Sequence, residues 1–258
     1  MIKVENLTKS FSLSRAQRKE LGTNAKSITA VNNISFTCQP GRIYSLLGPN
    51  GAGKTTTLRM IATILKPTNG TISVAGHDVV KRGEEARKAI GFLTGSTGLY
   101  QRLTPNELIK YFADLYGVEK SVFEARKEKL FTLLGMHDFS KKRIGQLSTG
   151  MKQKVSIART MIHDPAVVVF DEPTSGLDVI TAENIINLIR QCKEDGKTVI
   201  FSSHIMTEVD LLCDDLAIIH KGNLIHSSTM QEFRNQLQGK SLTEEFIRIV
   251  NESSSVTL

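Results

Sequence analysis

The stretch Ile43-Tyr44-Ser45-Leu46-Leu47-Gly48-Pro49-Asn50-Gly51-Ala52-Gly53-Lys54-Thr55-Thr56 decides the architecture of this chain. Its first part is a short, almost wholly apolar run, the pattern of a strand buried on both faces. Its middle satisfies G-x-x-x-x-G-K-[ST], and from Thr55 to Leu65 the pattern is helical until Lys66-Pro67-Thr68-Asn69-Gly70 ends it. Strand, glycine-rich turn and helix in that order make a phosphate cradle. The glycines let successive backbone N–H groups point into one concavity, and a helix starting at Lys54 adds the positive end of its dipole. Lys54 supplies a mobile charge for the terminal phosphates of a nucleoside triphosphate, and the Thr55 hydroxyl suits Mg²⁺. Gly48, Pro49, Asn50, Gly51, Ala52, Gly53, Lys54, Thr55 and Thr56 are the candidate nucleotide-binding residues.

Val167-Val168-Val169-Phe170-Asp171-Glu172 supplies the other half of the chemistry. An apolar strand delivers two acids at its C-terminal end, which in a parallel sheet lies beside the phosphate loop. Asp171 is the candidate metal ligand, directly or through water, and Glu172 the candidate general base for the attacking water. The two motifs together indicate a nucleoside triphosphatase.

Strand-like runs alternate with helical patterns along the chain, which indicates an α/β fold with a mainly parallel sheet. Ile2 to Val4 and Ile34 to Cys38 read as strands around a polar stretch, Ser12 to Ser27, expected to be a long turn or mobile loop. Thr104-Pro105-Asn106-Glu107 carries an N-cap, a proline at the first helical position and a capping-box glutamate. It opens a mostly helical segment, so residues 96–163 read as a helical subdomain inserted in the core. Thr198 to Phe201 returns to strand after a helix from Ile180 to Asp195. Leu216 to Ile219 and Asn223 to His226 flank Lys221-Gly222 as a hairpin. Residues 1–238 form the expected core unit, and 239–258 a polar, helical tail that frays at Ser253-Ser254-Ser255.

The chain has 258 residues, 40% hydrophobic and 23% charged, so disordered, collagen-like and disulfide-scaffold classes drop out. No apolar run approaches the ~20 residues that span a bilayer. Met1 to Asn6 lacks the apolar stretch of a secretory signal, and a cytosolic location is expected. Cys38, Cys192 and Cys213 lie far apart without metal-ligand spacing and read as reduced, packed thiols. A net charge of +7 is spread along the chain without interleaved aromatics, so no nucleic-acid partner is expected.

Leu147-Ser148-Thr149-Gly150-Met151, ahead of a helical run, is by itself only a plausible N-cap. In its place between the two phosphate motifs, however, it resembles the LSGGQ signature of the ATP-binding cassette family. Ser175-Gly176-Leu177-Asp178 is similar to that family's loop after the catalytic glutamate, and His204 falls where the family has its switch histidine. Phe11 falls where the family stacks an aromatic on adenine, although an aromatic at the edge of a core is the alternative. The resemblance covers nearly the whole chain. It implies a phosphate-loop NTPase core with N-terminal antiparallel strands, ATP and Mg²⁺ as ligands, and Glu172 and His204 as catalytic residues.

It also implies a head-to-tail dimer in which Ser148, Thr149 and Gly150 of one copy close on the ATP held by the other. The physics agrees, since a hydroxyl, amides and a helix N-terminus suit a γ-phosphate. A membrane permease subunit is the implied further partner, and the cytoplasmic face of the membrane the implied location. Non-transport cassettes that act on ribosomes or chromosomes fit less well: the first generally carry two cassettes per chain, and the second separate these motifs by long coiled coils. Gly98-Leu99-Tyr100 and the tail resemble bacterial exporters of the sodium-efflux and drug-resistance type, with Gly95 to Gly98 most like the sodium-extruding members. Three positions depart from the family pattern. Gly95 stands where a metal-contacting glutamine is usual, Met151 replaces the last glutamine of the signature, and Thr149 replaces its first glycine. Gly95 to Gly98 is expected to act as a hinge, with water taking the missing metal position.

Overall fold

The computed structural model describes residues 1–20, 22–94 and 98–255. The chain opens on β1 (Ile2–Ser12), passes through α1 (Arg15–Glu20) and returns as β2 (Ser27–Cys38). β3 (Ile43–Leu47) leads into α2 (Lys54–Ile61), followed by β4 (Asn69–Val74), β5 (His77–Asp78), α3 (Gly83–Lys88) and β6 (Ile90–Thr94). Next come α4 (Pro105–Leu115), α5 (Lys120–Leu134) and α6 (Thr149–Met161), then β7 (Val167–Asp171), α7 (Val179–Glu194) and β8 (Thr198–Ser203). The chain ends with α8 (Met206–Leu212), β9 (Asp215–His220), β10 (Asn223–Thr229), α9 (Met230–Asn235) and α10 (Leu242–Ser255).

Two sheets organise these elements. One is antiparallel, in the order β2-β1-β4-β5; the other runs β10-β9-β3-β8-β7-β6 and is parallel except for β10. Side chains alternate across the second sheet. Ile43, Leu47, Val168, Phe170, Val199 and Phe201 join a core with α4 to α9, whereas Tyr44, Leu46, Val167, Val169 and Ile200 join a core with α2 and the antiparallel sheet. A sheet covered on both faces explains why these strands read as continuous apolar runs. Parallel pairing also sets the site. Leu47 pairs with Ser203 and Asp171 with Ser202, so β3, β7 and β8 end together and release their loops at one edge.

Several elements differ from the sequence reading. The Ser12–Ser27 stretch holds a helix, because Ser14 Oγ accepts from Gln17 N while Gln17 Oε1 accepts from Ser14 N, which caps α1. β4 and β5 were hidden behind the helix-breaking Lys66 to Gly70, although Thr71-Ile72-Ser73-Val74 alternates as a strand should. α2 stops at Ile61, short of Leu65, where Thr63 takes a left-handed φ of 62°. The tail does not fray at Ser253. α10 runs to Ser255, with Leu242, Phe246, Ile249 and Val250 packed on the core at helical spacing. Glu245, 2% exposed, holds its start by accepting from Gln238 N and Gly239 N and pairing with Arg248. Cys38, Cys192 and Cys213 are buried free thiols, as expected. Residues 105–161 carry α4 to α6 and no strand.

Candidate nucleotide site

Gly48 and Gly53 show why this loop needs glycine. A Cβ on Gly48 would lie 2.2 Å from the carbonyl oxygen of Ile219, and one on Gly53 would lie 2.5 Å from that of Ala30. Gly53 also has a φ of 110°, open to glycine but not to L side chains, and it turns the backbone directly into α2. Gly53→Ala is therefore expected to lower stability by about 1–3 kcal/mol. Denaturant titration measures this, and wild-type stability would mean that the loop tolerates the side chain.

Lys54 is 4% exposed, and its ammonium donates to Gly48 O at 2.6 Å and Pro49 O at 3.2 Å. Burial pulls its pKa below the usual lysine value, opposed by the charges of Glu172 and Asp171. Thr55 Oγ1 donates to Asp171 Oδ1 at 3.0 Å, and Ser202 Oγ donates to the same oxygen at 2.8 Å. The phosphate loop and the acid pair, separate in sequence, thus share one hydrogen-bonded cluster. Hydroxyl and carboxylate are hard oxygen donors, a set that suits Mg²⁺ completed by waters and phosphate oxygens.

Glu172 lies beside this cluster. Its carboxylate is 3.8 Å from Lys54 Nζ and 3.4 Å from His204 Nδ1. Its backbone is left-handed, with a φ of 49°, and its N–H is within reach of both Ser202 Oγ at 3.0 Å and Ser202 O at 3.2 Å. A non-glycine residue held in this region implies local strain that the surroundings must over-determine. The structure therefore brings Lys54, Thr55, Asp171, Glu172 and His204 together. Sequence reasoning left out Ser202, which ties the acid pair to the end of β8; its only signal was the polar pair Ser202-Ser203 closing an apolar strand.

The other candidates lie elsewhere. Phe11 is 39% exposed on β1, opposite Ile28, with the Lys9 ammonium 5.0 Å from its ring centre. It belongs to neither core. Ser148 and Thr149 are exposed at the start of α6, where Ser148 Oγ accepts from Met151 N at 3.3 Å as the N-cap. Gly150 abuts α7: a Cβ there would lie 3.1 Å from Thr181 Oγ1 and 3.4 Å from Asp178 Oδ2. Among the described residues no hydrogen bond joins Ser148, Thr149 or Gly150 to Gly48 through Thr56. Of the expected hinge, Gly95 to Gly98, only Gly98 is among the described residues, so Gly95 itself lies outside them.

The sequence profile of the ABC transporter family matches residues 31–175, from β2 through the acid pair. The chain is 44% identical over 223 residues to the ABC transporter ATP-binding protein NatA of Bacillus subtilis, covering 86% of this chain and 91% of that one. It is 33% identical over 230 residues to the linearmycin resistance ATP-binding protein LnrL of the same organism, covering 89% and 74%. In three dimensions it resembles the ATP-binding cassette MJ0796, solved as a dimer in a post-hydrolysis state with ADP and Pi, with a TM-score of 0.77 and 25% identity over 89% of this chain and 99% of that one. With the family profile spanning more than half its length and one relative so similar along most of it, the chain belongs to the ABC transporter family as an ATP-hydrolysing, ATP-binding subunit.

Proposed function

We propose that this protein works as a head-to-tail dimer of cassettes on the cytoplasmic face of the membrane, driving export through a separate permease subunit. The observation that carries the reading is the division of the site. Lys54, Asp171, Glu172 and His204 meet at one sheet edge, whereas Ser148 and Thr149 present an exposed helix N-terminus that no hydrogen bond ties to them. A γ-phosphate gripped by Lys54 leaves oxygens for a second set of donors, and an exposed helix start with a hydroxyl at its cap provides one. The dimeric state reported for MJ0796 supports the same arrangement. Among the described residues no helix is long and apolar enough to cross a membrane.

Thr55 and Asp171 would hold Mg²⁺, which when bound neutralises developing phosphate charge. Glu172 positions and deprotonates the attacking water, His204 contacts the γ-phosphate, and Phe11 offers its exposed ring to adenine. Residues 1–238 form the cassette with the helical insertion at 96–163, and 239–258 the tail. Sodium ion is the proposed cargo, on the similarity of Gly95 to Gly98 to sodium-extruding relatives; the likeness to a linearmycin resistance protein favours drug export as the second reading. Flux assays with the co-purified permease separate the two.

The dimer is tested in trans. Ser148→Arg is expected to keep single-chain ATP binding while blocking hydrolysis, because the bulk and the lost hydroxyl affect the neighbouring copy's nucleotide. Mixed with Lys54→Ala, it restores one complete site per heterodimer. A mixture as inactive as either parent, with heterodimers present on a sizing column, would overturn the shared site.

A further inference from the structure

One carboxylate near the site forms, among the described residues, no hydrogen bond or ion pair with the phosphate loop. Glu208, in the first turn of α8, accepts on Oε1 from Thr174 Oγ1 at 2.5 Å and on Oε2 from Ser203 Oγ at 3.0 Å. Both donors are buried, Thr174 at 7% and Ser203 at 2% exposure. Ser203 Oγ also accepts from Ile205 N at 3.0 Å, so its hydroxyl links the carboxylate to the backbone just beyond His204. Thr174 comes two positions after Glu172, and Ser203 immediately precedes His204. The two oxygens of one carboxylate thus hold the loop of the base and the loop of the histidine.

An acid in the first turn of a helix is often only a partner for the dipole and the free N–H groups. Here both oxygens are taken by hydroxyls outside the helix, and one belongs to a separate loop. The strain at Glu172 also requires restraint from more than one side. Ser202 holds its N–H, and the Thr174–Glu208 bond anchors the chain beyond it. We infer that Glu208 is a positioning residue for hydrolysis, setting the separation of Glu172 and His204 by tying Thr174 to Ser203. This rests on the roles proposed above for Glu172 and His204.

The test measures ATP affinity and single-turnover hydrolysis in the dimer-competent protein. Glu208→Ala is expected to lower the hydrolysis rate ~10- to 100-fold, since a displacement of about 1 Å at reacting groups costs up to ~10²-fold. ATP affinity stays within about 3-fold, because Lys54 and the loop amides are untouched. Glu208→Gln, which offers one acceptor in place of two, falls between, and Thr174→Val, nearly isosteric, reproduces part of the loss without disturbing α8. The decisive readout is the double variant. If Glu208 acts through the base, Glu208→Ala adds little to the loss already caused by Glu172→Gln. An unchanged rate in Glu208→Ala, or an equal further loss in the Glu172→Gln background, overturns the positioning role while leaving Glu172 as the base. Normal turnover in Glu172→Gln alone overturns the base, and the positioning role with it.

Discussion

Lys54→Ala is expected to abolish measurable ATP binding. The ammonium is held at the loop by Gly48 O and Pro49 O, and among the loop residues Gly48 to Thr56 it is the sole side-chain cation. The loop's other donors are neutral amides and hydroxyls, so the triphosphate would lose its charge-assisted partner inside a buried cradle. Hydrogen bonds to charged groups contribute about 1.5–3 kcal/mol each, and Lys54 can make more than one to the terminal phosphates, so affinity falls by roughly 10²-fold or more. The substitution also leaves Glu172 without its cation at 3.8 Å, which adds repulsion toward the nucleotide. Equilibrium titration with a fluorescent ATP analogue reads the loss directly, and wild-type affinity would refute the phosphate-loop assignment.

Glu172→Gln should separate binding from chemistry. The amide keeps the size of the side chain, whose native carboxylate lies 3.4 Å from His204 Nδ1, while losing the proton affinity needed to activate water. Hydrolysis is expected to fall by the ~10²- to 10⁴-fold that a positioned base contributes, with ATP binding retained and ATP-bound dimers accumulating. Phosphate release and a sizing column with ATP and Mg²⁺ measure the two effects. Near-normal turnover would place the base on another residue.

The phosphate loop was legible because its constraints are local. Gly48-Pro49-Asn50-Gly51-Ala52-Gly53-Lys54-Thr55 must turn sharply between a strand and a helix, and only certain residues permit that turn. Asp171 and Glu172 were legible because an acid pair ending an apolar strand has few other reasons to be there. The same local logic found the Thr104 cap, whose side chain accepts from Glu107 N as the capping box requires. It failed where the signal was non-periodic or masked. Breakers at Lys66 to Gly70 concealed β4, and the polar composition of the tail concealed the apolar stripe of α10.

The sequence by itself determined the candidate chemistry: a glycine-rich loop suited to a triphosphate, two acids proposed to hold the metal and activate water, and a signature proposed to reach a partner's nucleotide. These depend on residue types at short spacing, which local backbone preferences enforce. Tertiary structure alone decided which distant groups share the work. Parallel pairing of β3, β7 and β8 brings Thr55, Asp171 and Ser202 onto one hydrogen-bonded cluster, and the packing of α8 places Glu208 between Thr174 and Ser203. No local pattern encodes such contacts, because the strands that create them are joined only through the register of the sheet and the burial of its two faces.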